Sequence, residues 1–246
     1  MAHSLHQILQ IAQSGMLARF LELDVVSHNL ANIYTPGYKA SRANFQELLT
    51  NAHKGGVMLR STTADATQGS IQISDNPLDI AIQGDGFFAV HLPDGRIGYT
   101  RAGRFTLDEN QRIITENGFA LDWQGDVPPT TEAIQVKPDG AVQVLVGGTW
   151  TPVGNIQLVR FSNPSGLLEY GQNIRLESEI SGPAQRGTPG QNGYGALIGG
   201  AIEASNTDFA REMIRMIALQ RGFEISLRSF QQTDRMLSLA IRMRGG

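Results

Sequence analysis

Few residues in this chain have both the type and the spacing that chemistry needs. Gly84-Asp85-Gly86-Phe87-Phe88 carries two glycines of a dinucleotide fingerprint. It lacks the third and leads into a strand pattern, so a turn followed by core aromatics is the better reading. The sequence has no P-loop, no H-E-x-x-H and no G-x-S-x-G. The five histidines are scattered at positions 3, 6, 28, 53 and 91, and only His3 and His6, at a fraying end, could share a helix face for a metal. Acidic pairs such as Asp108-Glu109 fall on expected turns, where solvation is the ordinary role. Glycosidase-type carboxylates depend on the fold for their partners, and nothing in the sequence supports them. With no cysteine, disulfides, thiolate-bound zinc and thiol nucleophiles are excluded. These residues point to no catalytic, cofactor-binding or metal-binding site.

What the chain does carry is a long apolar stripe at each end. In the last forty residues, intervals of four and three pick out Phe209, Met213, Met216, Gln220, Phe223, Leu227, Phe230, Asp234, Leu237 and Ile241. Only Gln220 and Asp234 are polar. A mean interval of 3.5 residues is the seam of a helix that packs along another helix. At 1.5 Å per residue the helix is roughly 55 Å long, against ~10–14 residues for an ordinary globular helix. Ser205, with Asp208 three residues on, is placed to cap its start. The N-terminal end repeats the spacing through Leu5, Leu9, Ala12, Met16, Arg19, Leu23, Val26, Leu30 and Ile33. A helix is expected from about Ser4 to Ile33, stopped by Pro36-Gly37. The candidate interface residues are Leu9, Met16, Leu23, Val26 and Leu30 at one end. At the other they are Phe209, Met213, Met216, Phe223, Leu227, Phe230, Leu237 and Ile241. Such seams can pair with each other, with other copies, or with both.

Between the helices the period changes. Ala43 to Leu49 reads as one more short helical segment, and residues 51–70, rich in small residues, as an extended connector. From Ile71 short apolar runs alternate with turn signals such as Pro93-Asp94-Gly95, Glu116-Asn117-Gly118 and Pro138-Asp139-Gly140. That is the pattern of an antiparallel β domain. The expected fold class is α+β, with long N- and C-terminal helices forming a coiled-coil-like domain (1–50 and 200–246) around an inserted antiparallel all-β domain (71–180). A second connector, 181–199, is rich in glycine and proline.

Composition agrees with a core-forming chain that does not bind nucleic acid as a whole. Of 246 residues 41% are hydrophobic and the net charge is −3. The charge is uneven: residues 207–246 hold seven arginines and four acids, and no lysine. Arginine suits bidentate pairing with carboxylates, including those of neighbouring subunits. The N-terminus has no basic region before a continuous apolar run, so no cleaved secretory signal is expected. No apolar run approaches the ~18 residues of a membrane-spanning helix.

Read together, three blocks resemble the bacterial flagellar axial proteins, the rod and hook family. Asn29-Leu30-Ala31-Asn32 followed by Thr35-Pro36-Gly37-Tyr38-Lys39 is similar to that family's N-terminal signature, with His28 where Asn is more usual. Pro77 to Ile82, Gly84 to Phe88 and Tyr99 to Phe105 resemble its shared β-domain motif. Glu203 to Asn206, Met213-Ile214 and Gln220 to Glu224 resemble its C-terminal block, with Gly222 in place of the commoner Ala. The resemblance implies a structural subunit of the basal-body rod, with an inner tube of terminal helices and an outer β layer. It also implies export by the flagellar type III apparatus without a cleaved signal, a rod spanning the periplasmic space, and no cofactor. The partners it implies are copies of the same chain, other axial proteins and the surrounding rings. Within the family, Thr188 to Gly193 resembles the distal-rod members, while the short connector after Leu49 resembles the proximal-rod member with one β domain; the distal rod is preferred. A β-domain enzyme with dimerising helices and a soluble interaction module are the competing classes.

Overall fold

The computed structural model describes residues 2–49 and 54–244, with side chains at 10–46, 58, 60–236, 238 and 239. The chain is α+β: helices lie at both ends and antiparallel sheets between. It divides into two units, one of residues 1–31, 40–65 and 207–246, the other of 32–39 and 66–206.

The first unit contains helix α1 (Ala2–Ala31), strands β1 (Ser41–Leu49) and β2 (Lys54–Ala64), and helix α2 (Phe209–Arg244). The two helices pack on each other, and the β1–β2 hairpin packs on α1. Helix α1 ends two residues before the expected Ile33, where Asn32 and Thr35 close a turn through the Thr35 N–H at 3.1 Å. Helix α2 starts later than the sequence suggests. Its cap is Asp208, whose Oδ1 accepts the Arg211 N–H at 3.1 Å, rather than Ser205.

Two expectations need correction in this unit. The segment read as helical from Ala43 is strand β1, paired with β2 from Ser41↔Ala64 to Leu49↔Lys54. Its side chains alternate, Ala43 and Phe45 half-buried, Arg42, Asn44 and Gln46 exposed, which is the strand period. The stretch 51–70, read as a connector, contains β2. It escapes notice because a hairpin with polar residues on its outer face shows little hydrophobic alternation.

The second unit contains β3 (Ile71–Ile73), β4 (Ile80–Gln83), β5 (Phe88–His91), β6 (Ile97–Thr100) and the later short strands. A seven-stranded sheet is centred on β5 and β6. Strand β5 is buried on both faces. Phe88 and Val90 enter the larger core with Ile80, Ile82, Phe105 and Leu158. Ala89 faces a smaller core of Phe87, Tyr99, Val159, Phe161 and Leu167. The turn signals act as the sequence suggests: Gly95, Gly118 and Gly140 all have positive φ, which costs glycine nothing. The stretch 181–199, read as a connector, carries strands Gln185–Gly187 and Ala196–Gly199. The second of these pairs with β4, and Ala201–Glu203 pairs with β3. Three- and four-residue strands among glycines are too short to show a period.

Candidate assembly surface

Helix α2 has two differently used faces. One, toward α1, holds the seam Glu212, Met216, Leu219, Phe223, Ser226, Phe230 and Thr233, each buried or half-buried. Arg215 fastens it, contacting Glu22 of α1 and Glu212 of its own helix, both at 3.3 Å. The seam shares Met216, Phe223 and Phe230 with the expected stripe and is otherwise rotated from it. Met213 is half-buried beside it, while Phe209 and Leu227 are 56% and 37% exposed. On α1, Met16, Leu23 and Leu30 are half-buried, and Val26 is fully buried within the chain. The side chains of Leu9, Leu237 and Ile241 lie outside the described residues.

The sequence reading missed the other face. Ile214, Ile217, Ile225, Met236 and Leu239 of α2 are all exposed, and so are Leu17 and Phe20 of α1. Their steps of three, four and multiples of these keep Ile214, Ile217 and Ile225 on one side of α2. They escaped because the reading followed one continuous stripe, and arginines interrupt this one at Arg221 and Arg228. A run of large apolar side chains exposed along a helix marks an interaction surface. Among the described residues, Arg211, Arg221 and Arg235 have no ion-pair partner.

The signature blocks have a structural explanation. Asn29 is fully buried. Its Nδ2 donates to the Ser41 carbonyl at 2.9 Å and its Oδ1 accepts the Ser41 N–H at 2.8 Å, clipping the end of α1 to the start of β1. In the second unit, Thr35 to Lys39 form a strap. The Asn173 side chain donates to the Pro36 carbonyl at 2.8 Å and the Gly37 N–H donates to the Glu203 carbonyl at 2.7 Å. Gly37 has φ +67°, and a Cβ there would sit 2.4 Å from the Arg101 carbonyl carbon, so no larger residue fits. Lys39 Nζ donates to the Glu203 carboxylate and to the Thr67 carbonyl. Asn206 donates to the same Thr67 carbonyl at 3.0 Å. Arg101 Nε lies 3.6 Å from the second Glu203 oxygen, and Lys39, Arg101 and Glu203 are all buried. The blocks were legible in the sequence; their meeting around one carboxylate was not.

Three family models match the chain. Residues 9–39 match a flagella basal body rod protein, 81–144 a flagellar hook protein FlgE/F/G D1 domain, and 198–243 a flagellar basal body rod FlgEFG protein C-terminal region. Lys39, Arg101 and Glu203 come one from each matched segment. The flagellar basal-body rod protein FlgG of Buchnera aphidicola subsp. Acyrthosiphon pisum is 38% identical over 93% of this chain and 96% of its own length. This chain belongs to the flagellar basal-body rod and hook family. The rod protein FlgG of Caulobacter vibrioides is 36% identical over 97% of this chain and 99% of its own. FlgF of Mesorhizobium japonicum is 28% identical over 96% and 97%. A structural subunit of the flagellar basal body is what this family membership assigns.

The remaining candidate chemistry resolves into structure. Gly84 and Gly86, with φ of +108° and +140°, turn the chain into β5, and Phe88 fills the core. Asp108 Oδ1 accepts the N–H groups of Asn110 and Arg112, both at 2.8 Å, holding a turn. No group of metal-ligating side chains gathers among the described residues. No described helix is long and apolar enough to cross a membrane.

Proposed function

We propose that the chain is a subunit of the distal rod, assembling helically through its terminal helices into the drive shaft that carries torque from motor to hook. The exposed stripe on α2 carries this reading. The chain covers that helix on one side with α1 and leaves Ile214, Ile217 and Ile225 in water on the other. Each would contribute about 1.5–3 kcal/mol if buried by a neighbour. In this reading Phe209 and Leu227, exposed at the edge of the α1-facing seam, meet a further neighbour, and the unpaired arginines meet carboxylates of adjacent subunits. Met216, Phe223, Phe230 and Val26 belong to the coiled-coil-like pairing inside each subunit. The second unit forms the inserted β domain. Copies of the chain, other rod and hook proteins and the rings are its partners, and export follows the type III route, without a cleaved signal, into the periplasmic span of the basal body. The role is structural and not enzymatic.

The distal placement rests on the higher identity to FlgG than to FlgF. Replacement of the native gene tests it. The chain should restore motility to cells lacking FlgG and not to cells lacking FlgF; the reverse would favour the proximal rod. Concentrated purified protein should form filaments in the electron microscope, whereas a dimerised enzyme would stay a discrete particle.

A further inference from the structure

The second unit contains a pocket of about 230 Å³ whose walls are unusually cationic. Lys39, Arg101, Arg160 and Arg175 line it, facing a single lining carboxylate, Asp85. Two more acids lie close by: Glu203, which is fully buried, and Glu169, the cross-strand partner of Arg175. Four cations thus meet three carboxylates, in a chain region that is otherwise acidic. Phe87 and Phe161 form an apolar wall, which strengthens any electrostatic contact made inside.

These cations are not fully compensated. Arg101 is 7% exposed. Its Nη2 donates to the Gly84 carbonyl at 2.7 Å, but its buried Nη1 has no acceptor. Neither an ion pair nor a side-chain hydrogen bond holds the Arg175 guanidinium among the described residues. Arg160 donates to the Asn192 carbonyl at 3.4 Å and makes a distant contact with Asp85 at 3.7 Å, beside the Tyr194 ring. Burial pulls Lys39, Arg101 and Arg175 below their ordinary pKa values, and Arg101 and Arg175 push Lys39 further down against the pull of Glu203. Buried cations held at such a cost are stabilised by an anion supplied from outside.

We propose that this pocket is a binding site for an oxyanion group, a carboxylate or a phosphate, gripped by Arg101 and Arg175. The guanidinium fork matches both groups. The site is independent of the helix faces and does not rest on the assembly reading.

Calorimetric titration of the full chain with inorganic phosphate and, separately, with glutarate tests it, with sodium chloride at matched ionic strength as reference. Saturable one-site binding of at least one probe is expected. Tighter phosphate binding identifies a phosphate group as the ligand, and tighter glutarate binding a carboxylate such as an acidic side chain. Arg175→Gln should weaken binding about tenfold, while Arg42→Gln, in the first unit, should leave it unchanged. If Arg175→Gln does not fold, Arg160→Gln at the rim should weaken binding in the same direction. No saturable binding of either probe, or equal binding by the pocket variants and the parent, would overturn the proposal.

Discussion

At the scale of single residues, the decisive group is Glu203. A buried carboxylate that neutralises two buried cations is costly to remove, because each cation is then left unpaired in a medium that cannot solvate it. Glu203→Gln should cost the second unit about 3–5 kcal/mol, read from urea melts. A loss below about 1 kcal/mol, the scale of an exposed pair, would show that the cluster is not the junction described above. A second residue gives the stability a pH dependence. Burial raises the Tyr99 phenol above its ordinary 10.0. The unfolded tyrosine ionises near pH 10 while the folded one stays neutral, so this contribution is complete below pH 10 and is lost as pH rises through the higher folded pKa. Tyr99→Phe should therefore melt with a flatter alkaline limb than the parent above pH 10, with the two curves parallel at pH 7–9. Parallel curves at all pH values would contradict the assignment.

At the scale of elements, what was legible follows from period and length. Both terminal helices, the strands from Ile71 to Val146 and the glycine turns were readable because each repeats a pattern or punctuates one. The β1–β2 hairpin was not, although Ala43 and Phe45 alternate with polar neighbours; the small polar residues that follow masked the signal. The closing strands were not either. Ala196–Gly199 and Ala201–Glu203 matter only through their partners β4 and β3, which are more than a hundred residues away in sequence. Two tests follow. A fragment of residues 32–206 should melt cooperatively, whereas residues 70–190 should be much weaker, lacking Lys39, Glu203 and both closing strands. Equal stability would show that those strands do not close the unit. In the helices, nothing lies within 4 Å of a Cβ added at Gly15, and one at Gly222 meets only the flexible Arg19 guanidinium at 2.3 Å. Gly15→Ala and Gly222→Ala should each stabilise the first unit by about 0.5–1 kcal/mol. A destabilised Gly222→Ala would mean that Arg19 cannot move aside.

At the scale of the whole molecule, the account turns on one asymmetry. Helix α2 satisfies one face inside the chain and leaves an apolar stripe outside it, a surface that copies of the chain can bury repeatedly. The candidate interface was half legible in the sequence for this reason. A seven-residue repeat identifies a helix that packs, but it does not separate the face used within the subunit from the face used between subunits. Ile225 is the residue on which the two separate most cleanly, being 68% exposed in the single chain. A carboxylate there stays solvated in the monomer but would be buried without a partner in an assembled tube. The direct measurement pairs a thermal melt of Ile225→Asp with its incorporation into filaments. An unchanged melt with filament formation and motility lost is the expected result. Normal filaments built from Ile225→Asp would show that this face is not where the subunits meet.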